Sequence, residues 1–175
     1  MSSITIQQNG ITNIPADAIV NAANTALREG HGVCGAIFRT AGSAELTKAC
    51  KAIGHCDEGS AVITQGFNCS SKFIIHAVGP RFSDGKHGEP DILYSAYTST
   101  LQLCKKNKLH SVVFPLISAG IFGYPLYDAW ARAISACKNF IHTNQDYTID
   151  IIFAIPEDEK VAVGNSILQK NILLI

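Results

Sequence analysis

Ala18-Ile19-Val20-Asn21-Ala22-Ala23-Asn24, followed by Gly30-His31-Gly32-Val33-Cys34-Gly35 and the small-residue run Ala36-Ile37-Phe38, is the stretch on which the reading of this chain turns. A short apolar strand delivers two carboxamides to its polar end, and a glycine-spaced loop then leads into a helix. Glycines let a backbone approach a ligand closely, and a helix N-terminus offers unpaired N–H groups and a partial positive charge to an anion. The layout is that of a phosphate or nucleotide site.

Outward from this stretch, strands and helices alternate. Upstream, Ile4 and Ile6 alternate with polar neighbours as an opening strand, Asn9-Gly10 reads as a turn, and Pro15 breaks any helix before the strand 18–21. Downstream, a helix runs from about Gly35 to Thr40. Gly42 interrupts it before a second helix, capped by Ser43, that places Leu46, Ala49, Cys50 and Ile53 on one face and ends at Gly54. Segments 60–65 and 72–78 read as strands joined by a hairpin turn or short loop over 66–71. The polar, glycine- and proline-rich segment 79–90 is a surface loop, after which Asp91 caps a helix carrying Leu93, Tyr97, Leu101 and Cys104.

Ser111 to Leu116 is the most apolar strand. A second glycine-containing loop, 118–124, follows it and meets Pro125 at the first turn of a helix bearing Trp130, Ile134, Cys137 and Ile141. A last strand over 149–155 and a last helix over 157–170 close the pattern. The alternation predicts an α/β protein, a three-layer α/β/α sandwich, with no internal repeat and no low-complexity tract.

Composition sets bounds. A chain of 175 residues with 47% apolar content is long enough for one domain, spanning residues 1–175, and too short for two ordinary ones. No apolar run approaches a membrane span and no signal-peptide pattern opens the chain, so a cytosolic, cytoplasmic location and no membrane partner are expected. The six cysteines lack a C-x-x-C pair or regular spacing with histidine, so free, mostly buried thiols are expected rather than a zinc or other metal site. With 14 basic and 14 acidic residues the formal charge is zero, which speaks against a nucleic-acid partner. The one basic run, Lys105-Lys106-Asn107-Lys108, reads as a solvated helix end.

Gly30-x-Gly32-x-x-Gly35 also satisfies the dinucleotide fingerprint of NAD-dependent oxidoreductases. In that motif the first glycine follows its strand almost directly, whereas residues 22–29 intervene here, and Asp57-Glu58 lie in a loop rather than at a strand end. The context argues against hydride-transfer chemistry. Instead, two glycine loops beyond the carboxyl ends of strands can grip a diphosphate from both sides through backbone N–H groups, which suits a chain without a cationic cluster.

Individual side chains leave alternatives open. Asn24 can hydrogen-bond sugar hydroxyls or close a turn on its own backbone. Asn21 braces the loop from within. His31 can meet a phosphate when protonated or project into solvent, and His76, in an apolar strand, reads as a hydrogen-bonded core histidine. Val33 and Ile121 fit either loop donors or core, Phe122 either a cover on a sugar face or a plug, and Tyr124 and Tyr127 border the pocket with no direction fixed.

Val20-Asn21-Ala22-Ala23-Asn24, the Gly-x-Gly-Val-x-Gly-Ala-Ile loop, His76-Ala77-Val78-Gly79-Pro80 and Pro115-Leu116-Ile117-Ser118-Ala119-Gly120-Ile121-Phe122-Gly123-Tyr124-Pro125 together resemble the successive signatures of a macrodomain, in that family's order and at about its spacing. The resemblance covers nearly the whole chain and is nearest to the branch of bacterial and animal mono-ADP-ribosyl hydrolases and viral macrodomains. It implies a sandwich on a central mixed sheet and ADP-ribose or mono-ADP-ribosylated proteins as partners. It also implies a monomer without a cofactor that hydrolyses mono-ADP-ribose from acidic side chains or deacetylates O-acetyl-ADP-ribose. The alternative is a reader that binds without turnover, or a site moved to another nucleotide. By that resemblance Asn24 and Cys34 are the candidate catalytic residues. Asn24 faces the distal ribose, Phe122 covers it, Asn21 stands at the site's edge, and Gly30, His31, Gly32, Val33, Ser118, Ala119, Gly120, Ile121 and Gly123 line the diphosphate. Ile11 and Pro156 lie at the adenine end.

Three positions depart from the family pattern. Cys34 stands where the cellular hydrolases have a water-orienting aspartate, and a mostly neutral thiol holds water poorly. Gly10 stands where an aspartate accepts the adenine amino group; its loss costs about 1.5 to 3 kcal/mol unless Asn9 substitutes. Ile155-Pro156 stands where an aromatic often stacks on adenine.

Overall fold

Along each central strand successive side chains face opposite ways, and both directions are apolar. Ala18 and Val20 point into one core with Ile75, Ala77, Val112, Phe114, Ile151 and Phe153, while Ile19 joins Ile74, Val113 and Ala154 in a second. Strands buried on both faces must be covered twice, and in the computed structural model, which describes residues 1–172, they are. The elements in order are β1 (Ser3–Gln7), a 3₁₀ turn (Ile11–Asn13), β2 (Ala18–Ala22), α1 (Gly32–Ala41), α2 (Ser43–Ile53), β3 (Ala61–Gln65) and β4 (Phe73–Ala77). Then come α3 (Glu89–Lys106), β5 (Ser111–Phe114), α4 (Leu126–Thr143), β6 (Asp150–Ala154) and α5 (Asp158–Ile172).

The strands form one six-stranded sheet in the order β1-β6-β5-β2-β4-β3. All neighbours run parallel except β3 and β4, which pair antiparallel, so the sheet is mixed. Helices α1 and α2 cover one face through Ile37, Phe38, Ala41 and Leu46. Helices α3, α4 and α5 cover the other, where Trp130, Tyr97, Phe114 and Phe153 form the aromatic centre, Phe114 and Phe153 stacking with centroids 5.6 Å apart. The three-layer α/β/α sandwich expected from the alternation is what the chain adopts. No helix among the described residues is long and apolar enough to cross a membrane.

Several boundaries differ from the sequence reading. Helix α1 begins at Gly32, three residues before Gly35, because Gly32 itself takes the left-handed backbone (φ +60) that turns the loop into the helix. Ser43 does not cap α2. Gly42 holds that position, and the Ser43 hydroxyl donates to Glu29 Oε1 at 2.8 Å. Ile53, expected on the core face, is 40% exposed at the frayed end of its helix. Gly88, not Asp91, precedes α3, β5 ends at Phe114, and Pro125 lies just before α4. The lysine run does end a helix, with Lys105 and Lys106 in the last turn of α3. The cysteines are free thiols, all buried except the half-buried Cys69.

Candidate functional site

Strands β2 and β5 are parallel neighbours, and the chain leaves them in opposite directions. The loop after β2 leads to α1 on one face, while the loop after β5 leads to α4 on the other. In an open α/β sheet such a divergence opens a crevice at the carboxyl ends of the strands, where ligands bind. Both glycine loops border this crevice. Among the described residues no hydrogen bond joins one loop to the other, so they stand as separate walls.

The first wall is braced by its own residues. Asn24 Oδ1 accepts the Arg28 N–H at 2.9 Å and its Nδ2 donates to the Arg28 carbonyl at 2.9 Å. The turn reading of Asn24 is therefore the arrangement seen, and the carboxamide keeps a second N–H and a second lone pair for another partner. The Cys34 thiol donates to the same carbonyl at 3.7 Å. Gly30 lies between them: a Cβ there would sit 3.7 Å from Cys34 Sγ and 4.0 Å from Asn24 Nδ2. Among the described residues no side chain caps α1, and the N–H groups of Gly32, Val33 and Cys34 meet no protein acceptor at the positive end of the helix dipole. His31 precedes the helix with an exposed side chain, the solvent arrangement, and Val33 is half-buried.

Beneath this wall lies a buried polar chain. Asn21, 1% exposed, approaches His76 Nδ1 through Nδ2 at 3.0 Å, and His76 Nε2 lies 3.0 Å from Thr64 Oγ1. Asn21 thus ties β2 to β4 beneath the loop, and His76 is the hydrogen-bonded core histidine read from its strand. Burial pushes the His76 imidazole down to about 4, so it is neutral at ordinary pH. Burial pushes the Cys34 thiol up, and hydrogen bonds from the Gly30 backbone and the Asn21 side chain only partly offset it. Cys34 is a neutral thiol.

The second wall is held from outside. The Tyr97 hydroxyl, deep in the core, accepts the Ile117 N–H at 2.9 Å. Ser118 takes a left-handed backbone (φ +66), its carbonyl receiving the Tyr124 N–H. It sits so close to Gly79 that a Cβ on that glycine would fall 2.2 Å from Ser118 Oγ. The loop 81–88 supports the tip: Phe82 N–H donates to the Phe122 carbonyl at 2.8 Å, Phe82 meets Tyr124 edge-on at 5.0 Å, and the Arg81 guanidinium lies 4.8 Å over the Phe122 ring. Ile121 is 80% exposed and so is a loop-tip residue rather than core. Tyr124 is buried while Tyr127 points out. Among the described residues the N–H groups of Gly120, Ile121 and Phe122 have no backbone acceptor, half-buried Ala119 donates to Leu116, and added Cβ atoms at Gly120 and Gly123 would meet nothing within 4 Å.

The sequence reading missed Glu89. It is buried at the start of α3, and its carboxylate accepts the backbone N–H groups of Ser83, Asp84, Gly85 and His87. Burial would push this carboxyl up, but the hydrogen bonds from Ser83, Gly85 and His87 prevail and hold it at about 2. Only the polar loop before it, rich in N–H groups needing an acceptor, signalled such an anchor.

At the far end of the cleft, Ile11 is buried in the same cluster as Cys34 and Ala154. Pro156 is exposed, its carbonyl accepting Gln8 Nε2 at 3.3 Å. Asn9 Oδ1 receives Gly10 N–H at 2.8 Å and Asn13 Nδ2 at 3.3 Å inside its own turn.

The fold and these walls define a class: an α/β/α sandwich whose crevice presents backbone donors from two glycine loops. Residues 20–133 match the Macro domain family, and the chain belongs to it. Among its relatives, the O-acetyl-ADP-ribose deacetylase of Escherichia fergusonii is 39% identical over 173 residues, 97% of each chain. A macrodomain of Oceanobacillus iheyensis solved with ADP superposes with a TM-score of 0.92 at 34% identity, covering 97% of this chain and 92% of that one. A Trypanosoma brucei macrodomain solved in complex with ADP-ribose superposes at 0.87 and 32% identity, covering 94% and 68%.

Proposed function

We propose that this chain binds ADP-ribose across the β2/β5 crevice and hydrolyses the ester that joins its distal ribose to an acidic side chain, releasing ADP-ribose and the free carboxylate. O-acetyl-ADP-ribose, an ester of the same ribose, is a substrate of the same chemistry. The observation that carries the reading is the uncapped N-terminus of α1 beside Asn24 and Cys34, facing a second loop with free N–H groups. Its support is the ADP-ribose and ADP held by the related macrodomains, together with the relatives named as deacetylases.

In this reading the backbone donors of 32–34 and 120–122 hold the diphosphate, and no lysine is needed. The spare N–H and lone pair of Asn24 orient the distal ribose. Water is the co-reactant: one ester C–O bond breaks, and the elements of water are divided between the ADP-ribose and the released acid. Cys34, neutral and donating to the Arg28 carbonyl, is not a nucleophile. The same neutrality favours a second reading, a module that binds ADP-ribose without turnover.

A time course of ADP-ribose release from a protein modified on glutamate or aspartate separates the two. Release by the native chain, falling roughly 10²-fold in Asn24→Ala, is the expected outcome. Release by Cys34→Asp alone would instead identify a reader, and silence from both would overturn the hydrolase reading.

A further inference from the structure

Thr64, His76 and Asn21 belong to β3, β4 and β2, three adjacent strands, and form one line of hydrogen bonds leading to the floor of the first wall. The polarity of the line is set at its outer end. The Thr64 hydroxyl donates to the Gln65 carbonyl at 3.1 Å, so toward His76 it offers a lone pair and takes the Nε2–H. His76 Nδ1 is then bare and can only accept, which obliges the Asn21 carboxamide to turn its NH₂ toward the imidazole. That leaves Asn21 Oδ1 buried and without a protein partner. An unpaired buried acceptor is costly, and the alternative amide orientation is blocked by the histidine. At 1% exposure the residue is closed to any donor larger than water.

We propose that His76 is a positioning residue of the hydrolytic site: through Asn21 it holds Oδ1 as the acceptor for a water beneath Gly30 and Cys34. The inference rests on the hydrolase reading above. It gives the site a water-holding oxygen that the Cys34 thiol does not supply. Among the described residues the other titratable groups recorded beside the line are thiols, Cys50 with Sγ 3.9 Å from His76 Nε2 and Cys34 beside Asn21, and both are held neutral by burial.

The test compares single-turnover ADP-ribose release and ADP-ribose affinity in the native chain, His76→Phe, His76→Gln and Thr64→Val, with ¹⁵N spectra of the native imidazole. Expected are an Nε2–H tautomer, a fall in turnover of roughly tenfold or more in His76→Phe with affinity unchanged, and partial recovery in His76→Gln, whose amide offers one acceptor and one donor. Thr64→Val, a milder change should His76→Phe not fold, lowers turnover in the same direction by releasing the tautomer. An Nδ1–H tautomer, or folded variants that turn over as fast as an active native chain, would overturn the proposal. A native chain that binds ADP-ribose but releases none fails the hydrolase reading itself and removes the water's role with it, an outcome distinct from active variants.

Discussion

The two walls of the crevice do similar work with opposite constructions. The wall after β2 is stitched together mainly by residues within eleven positions of one another, Asn24 clasping Arg28, Cys34 reaching the same carbonyl and Gly35 packing on the Gly30 carbonyl, with longer ties from Ser43 to Glu29 and from Cys56 N–H to the Thr25 carbonyl. The wall after β5 is borrowed from elsewhere, hung on Tyr97 from the core, on Gly79 beyond β4, and on a loop tied down by Glu89. Short-range bracing survives motion of the rest of the molecule, whereas long-range bracing makes the second wall as stable as the packing that supports it.

Acid titration should separate the supports most strongly. His76, beneath the first wall, is held neutral at about 4 against an ordinary 6.5, so between those values the unfolded chain takes up a proton that the native chain refuses. Stability is complete above 6.5 and declines as pH falls toward 4, by up to about 3 kcal/mol. Glu89, beneath the second wall, is held at about 2 against an ordinary 4.5, so its contribution is lost only as pH falls from 4.5 toward 2. Urea melts across this range check both windows, and His76→Gln should flatten the upper one alone.

Gly79→Ala should break the second wall while sparing the first. Its Cβ would fall 2.2 Å from Ser118 Oγ and 2.5 Å from Ile117 Cγ2, both buried, a clash worth about 1 to 3 kcal/mol. Hydrogen exchange should quicken over 117–124 and stay unchanged over 24–34; uniform quickening would mean that the walls are coupled. The smallest effect on stability belongs to Gly120→Val, where an added Cβ meets nothing within 4 Å and stability should stay within about 0.5 kcal/mol. Affinity for ADP-ribose should nevertheless fall roughly tenfold or more, since the branch occupies the space a diphosphate would need. Calorimetric titration reads that fall directly.

This asymmetry also explains what the sequence made legible. The first wall could be read because most of its partners lie close together in the chain, and the short apolar run 18–21 with the glycine spacing after it located strand, loop and helix to within three residues. The layers followed from the alternation of strands with helices along the chain. Glu89 could not be read, because a buried carboxylate that accepts four N–H groups looks in sequence like any acidic residue opening a helix. The adjacency of β2 and β5, which creates the crevice, is a property of strand order that local patterns do not carry. For the same reason Ser43 misled as a cap, since its hydroxyl was already committed to Glu29 across the loop. Asn9 is committed on equally local grounds, its oxygen receiving two donors inside its own turn.

The uncapped start of α1 has one more consequence, for how such a site is inherited. Its donors are main-chain N–H groups, which no side-chain substitution short of proline deletes. His31, Val33 and Cys34 are therefore free to drift in polarity and charge while the grip on an anion persists, provided the glycines keep the backbone in place. Descendants of this loop can exchange one reaction for another, or for none, without having to relearn how to hold the ligand.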